Sequence, residues 1–239
     1  MLTDKKRKKR KSKEESAKEK EESVDTPIDE GTSDAPDSAM MLDLSALAPQ
    51  ETPKIRAMGI YGTINEEKCA DALFSLVVLS ETGHVETLED PTDINSKLIS
   101  TCDPIDFYIS TYGGSATDMF AVYDTIRLLR EDCPIRTFGL GKVMSAGVLL
   151  LASGTKGERR IGANCRVMIH GVMSGQQGHL HDLENEMEEA KFTQRQYVKA
   201  LAKETNMTGK YIKKLMDKKI NVYLDAEEAV DLGIADIII

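Results

Sequence analysis

Downstream of Pro53, short apolar runs alternate with helix-patterned segments, and this alternation restricts the fold more than any other feature of the chain. Ile55 to Ile60 reads as a strand. Asn65 then opens an amphipathic helix, with Glu66 and Glu67 in its first turn and Ala70, Leu73, Phe74, Val77 and Val78 at helical spacing. The polar stretch from Glu81 to Cys102 reads as a loop or hairpin insertion. Ile105 to Ile109 is a buried strand ending at Tyr112-Gly113-Gly114, and a helix follows from about Ala116 to Leu129. Ile135 to Leu140 is a further strand, a second helix begins near Ser145, and Val167 to Ile169 is another core strand. Strand and helix alternating at this pace imply an α/β fold, a mostly parallel sheet covered by helices.

The carboxy-terminal third differs. Leu180, Leu183, Met187 and Ala190 keep heptad-like spacing on a strongly charged helix that continues toward Leu201 and Ala202. Such a stripe packs against its own domain or forms a dimer contact. A final helix from Ala226 to Gly233 and the run Ile237-Ile238-Ile239 close the chain.

Residues 1–54 are charge blocks followed by Ser, Thr, Asp and Pro, with almost no bulky apolar residue before Met40. A segment of that kind buries too little surface to offset its ordering entropy, so a disordered tail or a removable leader is expected. The basic run Lys5 to Lys11 fits a nucleic-acid or membrane-surface tether, a nuclear signal, or a solvated tail; Met40 to Ala48 fits a docking patch or the end of a leader. The chain as a whole carries a net charge of -9, which argues against nucleic acid as a partner. No apolar stretch is long enough for a membrane span, and none follows the basic run as a signal peptide requires. Cys69, Cys102, Cys133 and Cys165 stand far apart with no C-x-x-C pair, so neither a zinc site nor a disulfide framework is expected. A reducing, cytoplasmic setting fits best.

Functional groups of open parallel sheets gather beyond the carboxyl ends of the strands. Three such ends stand out. Gly113-Gly114 offers backbone N–H groups without side-chain cover, which suits an oxyanion as well as an ordinary tight turn. Ser145, between Met144 and Ala146-Gly147, is a helix N-cap or a nucleophile near the positive end of a helix. His170, ending Val167-Met168-Ile169, is a satisfied buried histidine or a general base. His179 and His181 read as surface polarity, and no metal ligands are proposed.

These residues lie within motifs that, in order, resemble the Clp protease proteolytic subunit family, ClpP, of the crotonase-like serine peptidases. Phe107 to Gly114 resembles the family's Y-I-N-S-P-G-G, and Ala121 to Ile126 its I-Y-D-T-M helix. Gly141 to Ala152 resembles the serine motif G-x-A-x-S-M-G-x-x-L-L-A, Arg166 to His170 resembles R-x-M-I-H, and Leu224 to Asp236 the closing S-A-x-E-A-x-x-Y-G-L-I-D. The resemblance runs from about Ile55 to Ile239. It implies a peptidase domain over 55–239, built of stacked βαβ units, with a helical handle at about 171–202.

The resemblance also implies roles. Ser145 would be the nucleophile and His170 the general base, with the N–H groups of Gly114 and Ala146 forming the oxyanion hole. The third catalytic position, usually Asp, falls on Asn221, which holds an imidazole through its amide oxygen but does not stabilise imidazolium as a carboxylate does. Asp217 and Asp225 are nearby carboxylates. Tyr112 stands in place of the family's Pro, Ala146 in place of Met, and the segment from Leu79 to Asp103 is longer than the family's. Tyr108, Leu128 and Phe138 correspond to an apical hydrophobic pocket, with core packing as the plainer reading.

The expected function is a serine endopeptidase that hydrolyses unfolded polypeptides through an acyl-enzyme. The family implies two stacked heptameric rings of this chain enclosing a chamber, fed by an ATP-dependent AAA+ unfoldase of the Clp type. No nucleotide-binding motif occurs in the chain, so ATP belongs to that partner, and no cofactor is expected here. The alternatives are a weakly active or inactive structural ring subunit, a processing peptidase working without an unfoldase, and a crotonase-type acyl-CoA enzyme, which the Ser145 and His170 pair opposes.

Overall fold

The structure is a computed structural model that describes residues 55–175, 177–217 and 221–239. The tail and leader readings for residues 1–54 lie outside the described residues. The elements are β1 (Ala57–Ile64), α1 (Glu66–Glu81), β2 (His84–Leu88), β3 (Leu98–Cys102), β4 (Ile105–Gly114), α2 (Ala116–Leu129), β5 (Ile135–Met144) and α3 (Ala146–Ala152). They continue with β6 (Arg160–Ile161), β7 (Arg166–Ile169), α4 (Leu180–Glu204), α5 (Gly209–Asp217), β8 (Val222–Leu224), α6 (Ala226–Asp231) and β9 (Ile237–Ile238).

One sheet of the order β1-β4-β5-β6-β9 carries the fold, with β7 also paired to β5 and β8 paired to β7. Every pairing in it is parallel except β7 with β8. β5 thus has two successive neighbours on one edge: β6 opposite Phe138 and Gly139, then β7 opposite Lys142, Val143 and Met144. The exchange falls at Gly141, whose φ of 67° is a conformation glycine adopts without a Cβ penalty. This fork has a direct consequence for function. It sets Met144 opposite Met168, so the chain leaves two adjacent parallel strands at Ser145 and His170.

The core forms where the period-2 pattern of the strands meets the helices. Ile105, Phe107, Ile109 and Thr111 of β4 are buried at alternate positions, and Met119, Val122, Tyr123 and Ile126 of α2, at helical spacing, are buried in the same core. α3 is buried at all seven positions, as expected of a helix apolar all round. The Glu81–Cys102 stretch is the antiparallel hairpin β2-β3.

α1 begins as expected, with the Asn65 side chain accepting from the Lys68 N–H. Its buried face is another matter. Cys69, Ala72 and Leu76 face the core, whereas Ala70, Phe74, Val77 and Val78 are exposed. The helix is apolar on two sides, so periodicity identifies a helix without saying which side the sheet takes. The α4 stripe departs in part: Leu180 and Met187 are exposed and Leu183 and Ala190 half-buried, while its continuation at Leu201 is buried in the core of its own domain.

The expectation of unpaired cysteines is corrected by a disulfide between Cys102 and Cys133, with 4.9 Å between their Cα atoms. The two residues stand just before β4 and β5, and the parallel pairing of those strands brings together positions separated by 31 residues. Cys69 and Cys165 are free and buried.

Two ionic clusters tie the carboxy-terminal elements to the rest of the domain. Glu204, almost fully buried at the end of α4, accepts from both guanidinium ends of Arg130 at 3.0 and 3.1 Å and from the Tyr123 hydroxyl at 3.0 Å. Buried Arg159 pairs with Asp236 and donates to the carbonyls of Glu204 and Gly233.

Candidate active site

Ser145 is the single residue between β5 and α3, and it is folded against its own preference. Its φ of 54° and ψ of -122° make it the one non-glycine with positive φ among the described residues. Such a conformation costs about 1–3 kcal/mol and persists only where the surroundings impose it. Here they do. The Ser145 N–H donates to the Met168 carbonyl at 2.8 Å, and its own carbonyl accepts from the Val148 N–H at 3.0 Å and the Tyr197 hydroxyl at 2.9 Å. Gly147 permits the close approach behind it, because a Cβ there would lie 2.3 Å from Thr111 Cγ2.

The side chain does not cap the helix it precedes. Instead Ser145 Oγ lies 2.8 Å from His170 Nε2. His170 is the first residue past β7 and is partly buried, and that burial lowers its pKa below the ordinary histidine value. The imidazole is therefore neutral near pH 7 and free to accept a proton from the hydroxyl.

The glycine pair closes the other side. Gly113 and Gly114 have φ of 93° and 153°, and a Cβ on Gly113 would stand 2.5 Å from Ser145 Cβ. The N–H groups of Gly113 and Ser145 are engaged, the former with Thr111 Oγ1 at 2.9 Å. Gly114 and Ala146 both line the cavity that holds Ser145 and His170. That cavity, of about 520 Å³, is also lined by Thr63, Tyr112, Met119, Met168, Val172, Met173, Tyr197 and Asn221.

The third position is less complete. Asn221 lines the cavity, but among the described residues no hydrogen bond joins it to the His170 ring. Asp225 is committed elsewhere, accepting from the Glu228 N–H at 2.8 Å in a capping box. Asp217 is exposed and faces a different cleft, beside Arg195 and Lys199. Tyr112, in the proline's place, lines the cavity with the Lys142 ammonium 4.5 Å from its ring centre.

Tyr108 and Phe138 stack at 4.6 Å, with Phe138 buried and Tyr108 half-exposed; Tyr108 lines a cleft with Tyr61 and Leu140 that neither Phe138 nor the exposed Leu128 of α2 lines. His181 stands exposed 3.7 Å from Glu184. Among the described residues no group of three or more His, Cys, Asp or Glu is arranged to hold a metal ion. Nor is any described helix long and apolar enough to cross a membrane. Two contacts had no signal in the sequence: Tyr197 on Ser145, and Gln194 Oε1 accepting from the Val172 N–H at 3.2 Å.

The family model for Clp protease matches residues 97–239, more than half of the chain. The chain belongs to the Clp protease family. ATP-dependent Clp protease proteolytic subunit 1 of Corynebacterium glutamicum is 32% identical over 188 residues, covering 77% of this chain and 88% of that protein. Subunit 1 of Corynebacterium diphtheriae is 31% identical over the same shares. Subunit 2 of Corynebacterium glutamicum is 35% identical over 145 residues, 59% of this chain and 70% of that protein. The mostly parallel sheet with flanking helices is the ClpP/crotonase-like fold of the Clp proteases. Members of this family are peptidases that need no cofactor of their own, oligomerise, and work with Clp ATPases that use the ATP.

Proposed function

We propose that the chain is a serine endopeptidase that cuts unfolded polypeptides through an acyl-enzyme, with Ser145 as nucleophile and His170 as base. The observation that carries this reading is the 2.8 Å contact from Ser145 Oγ to His170 Nε2 at a strained strand-to-helix turn. Strain of this kind is kept where it presents a side chain for chemistry. In the first step His170 Nε2 takes the hydroxyl proton as Oγ bonds to the scissile carbonyl carbon. The carbonyl oxygen becomes an oxyanion beside the N–H groups of Gly114 and Ala146. Collapse breaks the C–N bond, the departing amine takes the proton from His170, and a water activated by the same imidazole then releases the acyl group.

Asn221, which lines the cavity without bonding the ring, would take the orienting position in this scheme, and an amide leaves the imidazolium less stabilised than a carboxylate does. That observation favours a second reading, a weakly active ring subunit with an architectural role. The domain over 55–239 would act within stacked heptameric rings, receiving chains from an AAA+ unfoldase in the cytoplasm. The exposed apolar residues Phe74 and Val78 on α1 and Leu180 and Met187 on α4 support burial in an assembly, with the α4 stripe serving as the handle between rings.

Hydrolysis of a labelled unfolded polypeptide by the assembled protein, with and without a Clp-type unfoldase and ATP, tests the reading. Cleavage by the wild type and none by Ser145→Ala is expected, with folded substrates cut only when the unfoldase is present. Equal cleavage by both proteins, or none by either, contradicts it.

A further inference from the structure

We propose that Tyr197 is a positioning residue for the catalytic serine, its hydroxyl holding the strained Ser145 turn so that Oγ stays in line with His170. The inference rests on the serine-peptidase reading above.

Two of the three clamps on the Ser145 peptide come from its own surroundings. The Met168 carbonyl fixes the N–H from the neighbouring strand, and the Val148 N–H supplies the bond that the first turn of α3 would make in any case. The third, from Tyr197 at 2.9 Å, comes from the middle of α4, an element remote in sequence. A buried tyrosine hydroxyl needs some acceptor, so the contact by itself is ordinary. Its choice of acceptor is not. It reaches the carbonyl of the one strained non-glycine residue among those described, and Tyr197 lines the catalytic cavity.

One helical turn earlier, Gln194 accepts from the Val172 N–H, two residues past His170. α4 therefore grips the chain at the nucleophile and again just beyond the base. Residues i and i+3 share a helix face, so the two contacts form a ruler that fixes the separation of Ser145 and His170. Full burial pushes the Tyr197 phenol far above its ordinary pKa, so it remains a donor at any working pH.

Tyr197→Phe removes the hydroxyl and keeps the ring, and Tyr197→Leu removes the packing as well. The readouts are kcat and KM on a small fluorogenic peptide, the second-order rate of acylation by a fluorophosphonate, and the thermal midpoint of the assembled protein. The expected result for Tyr197→Phe is a fall of about tenfold in kcat and in acylation rate, the scale of one lost hydrogen bond, with KM and assembly unchanged. Tyr197→Leu adds a loss of stability. Wild-type acylation and kcat in Tyr197→Phe, or a Tyr197→Phe protein that fails to assemble, would mean that the hydroxyl serves stability alone and overturn the proposal. Absence of acylation in the wild type is a different outcome: it removes the serine-peptidase reading and the positioning role with it.

Discussion

A Cβ added to Gly114 would stand 2.0 Å from the carbonyl oxygen of Ile64, the last residue of the neighbouring strand β1. β1 and β4 pair as far as these two residues, with one register shift between Gly62 and Thr63, so the turn beside Ser145 is built at a backbone approach only glycine allows. Gly114→Ala forces that turn away from β1. We expect kcat/KM to fall by about 100-fold or more, the scale of losing one oxyanion donor. Peptide kinetics on assembled protein check this, and unchanged kinetics would remove Gly114 from the site.

His170 gives the pH dependence. Burial lowers its pKa from the ordinary 6.5, so the neutral, active form persists below that value. The acid limb of kcat/KM should fall with an apparent pKa under 6.5. Stability follows the same sign. The unfolded state takes up the proton first, so His170 costs nothing above 6.5 and destabilises progressively as pH falls toward its folded value. His170→Gln should flatten that part of the stability profile, as measured by denaturation at a series of pH values.

Asn221 is the position where activity should be open to gain. A carboxylate there would stabilise the imidazolium, and loss of such a carboxylate costs about 10⁴ in trypsin-type triads. Asn221→Asp should raise kcat at least about tenfold, with little change in KM. A decrease would mean that the ring is held by something other than residue 221.

Glu204 carries stability. Its carboxylate is almost wholly buried and satisfies Arg130 twice and Tyr123 once. Glu204→Gln leaves a partly buried guanidinium without its counter-charge, at a cost of about 3 kcal/mol, which for a domain of this size lowers Tm by about 6–12 °C. Calorimetry at fixed protein concentration measures it. A shift under about 2 °C would mean that water replaces the carboxylate at little cost.

The legible parts of the fold are those whose signals are local. α2 runs from Ala116 to Leu129 as expected, because Ser115 caps it and Met119, Val122 and Ile126 keep a single apolar face. β5 is longer than expected, since the apolar run stops at Leu140 while pairing with β4 and β7 carries the strand on to Met144. β6 and β9 are two residues each and exist only through their partners, so no local pattern announces them.

The site divides in the same way. Strand ends and ordered motifs mark Ser145, His170 and the glycine pair, and the register of Met144 with Met168 is what brings the serine and histidine together. Tyr197 and the Cys102–Cys133 pair depend on how distant elements lie against each other, which no spacing encodes. Asn221, three residues before Leu224 of the closing motif, lines the cavity, but no hydrogen bond to His170 accompanies it among the described residues.

The central claim is that Ser145 is an activated nucleophile. Intact mass of the assembled protein after treatment with a fluorophosphonate, beside Ser145→Ala, tests it most directly. The account predicts one adduct per chain on the wild type, mapped to Ser145, and none on the variant. An unmodified wild type in well-formed assemblies, or equal labelling of both proteins, would contradict it.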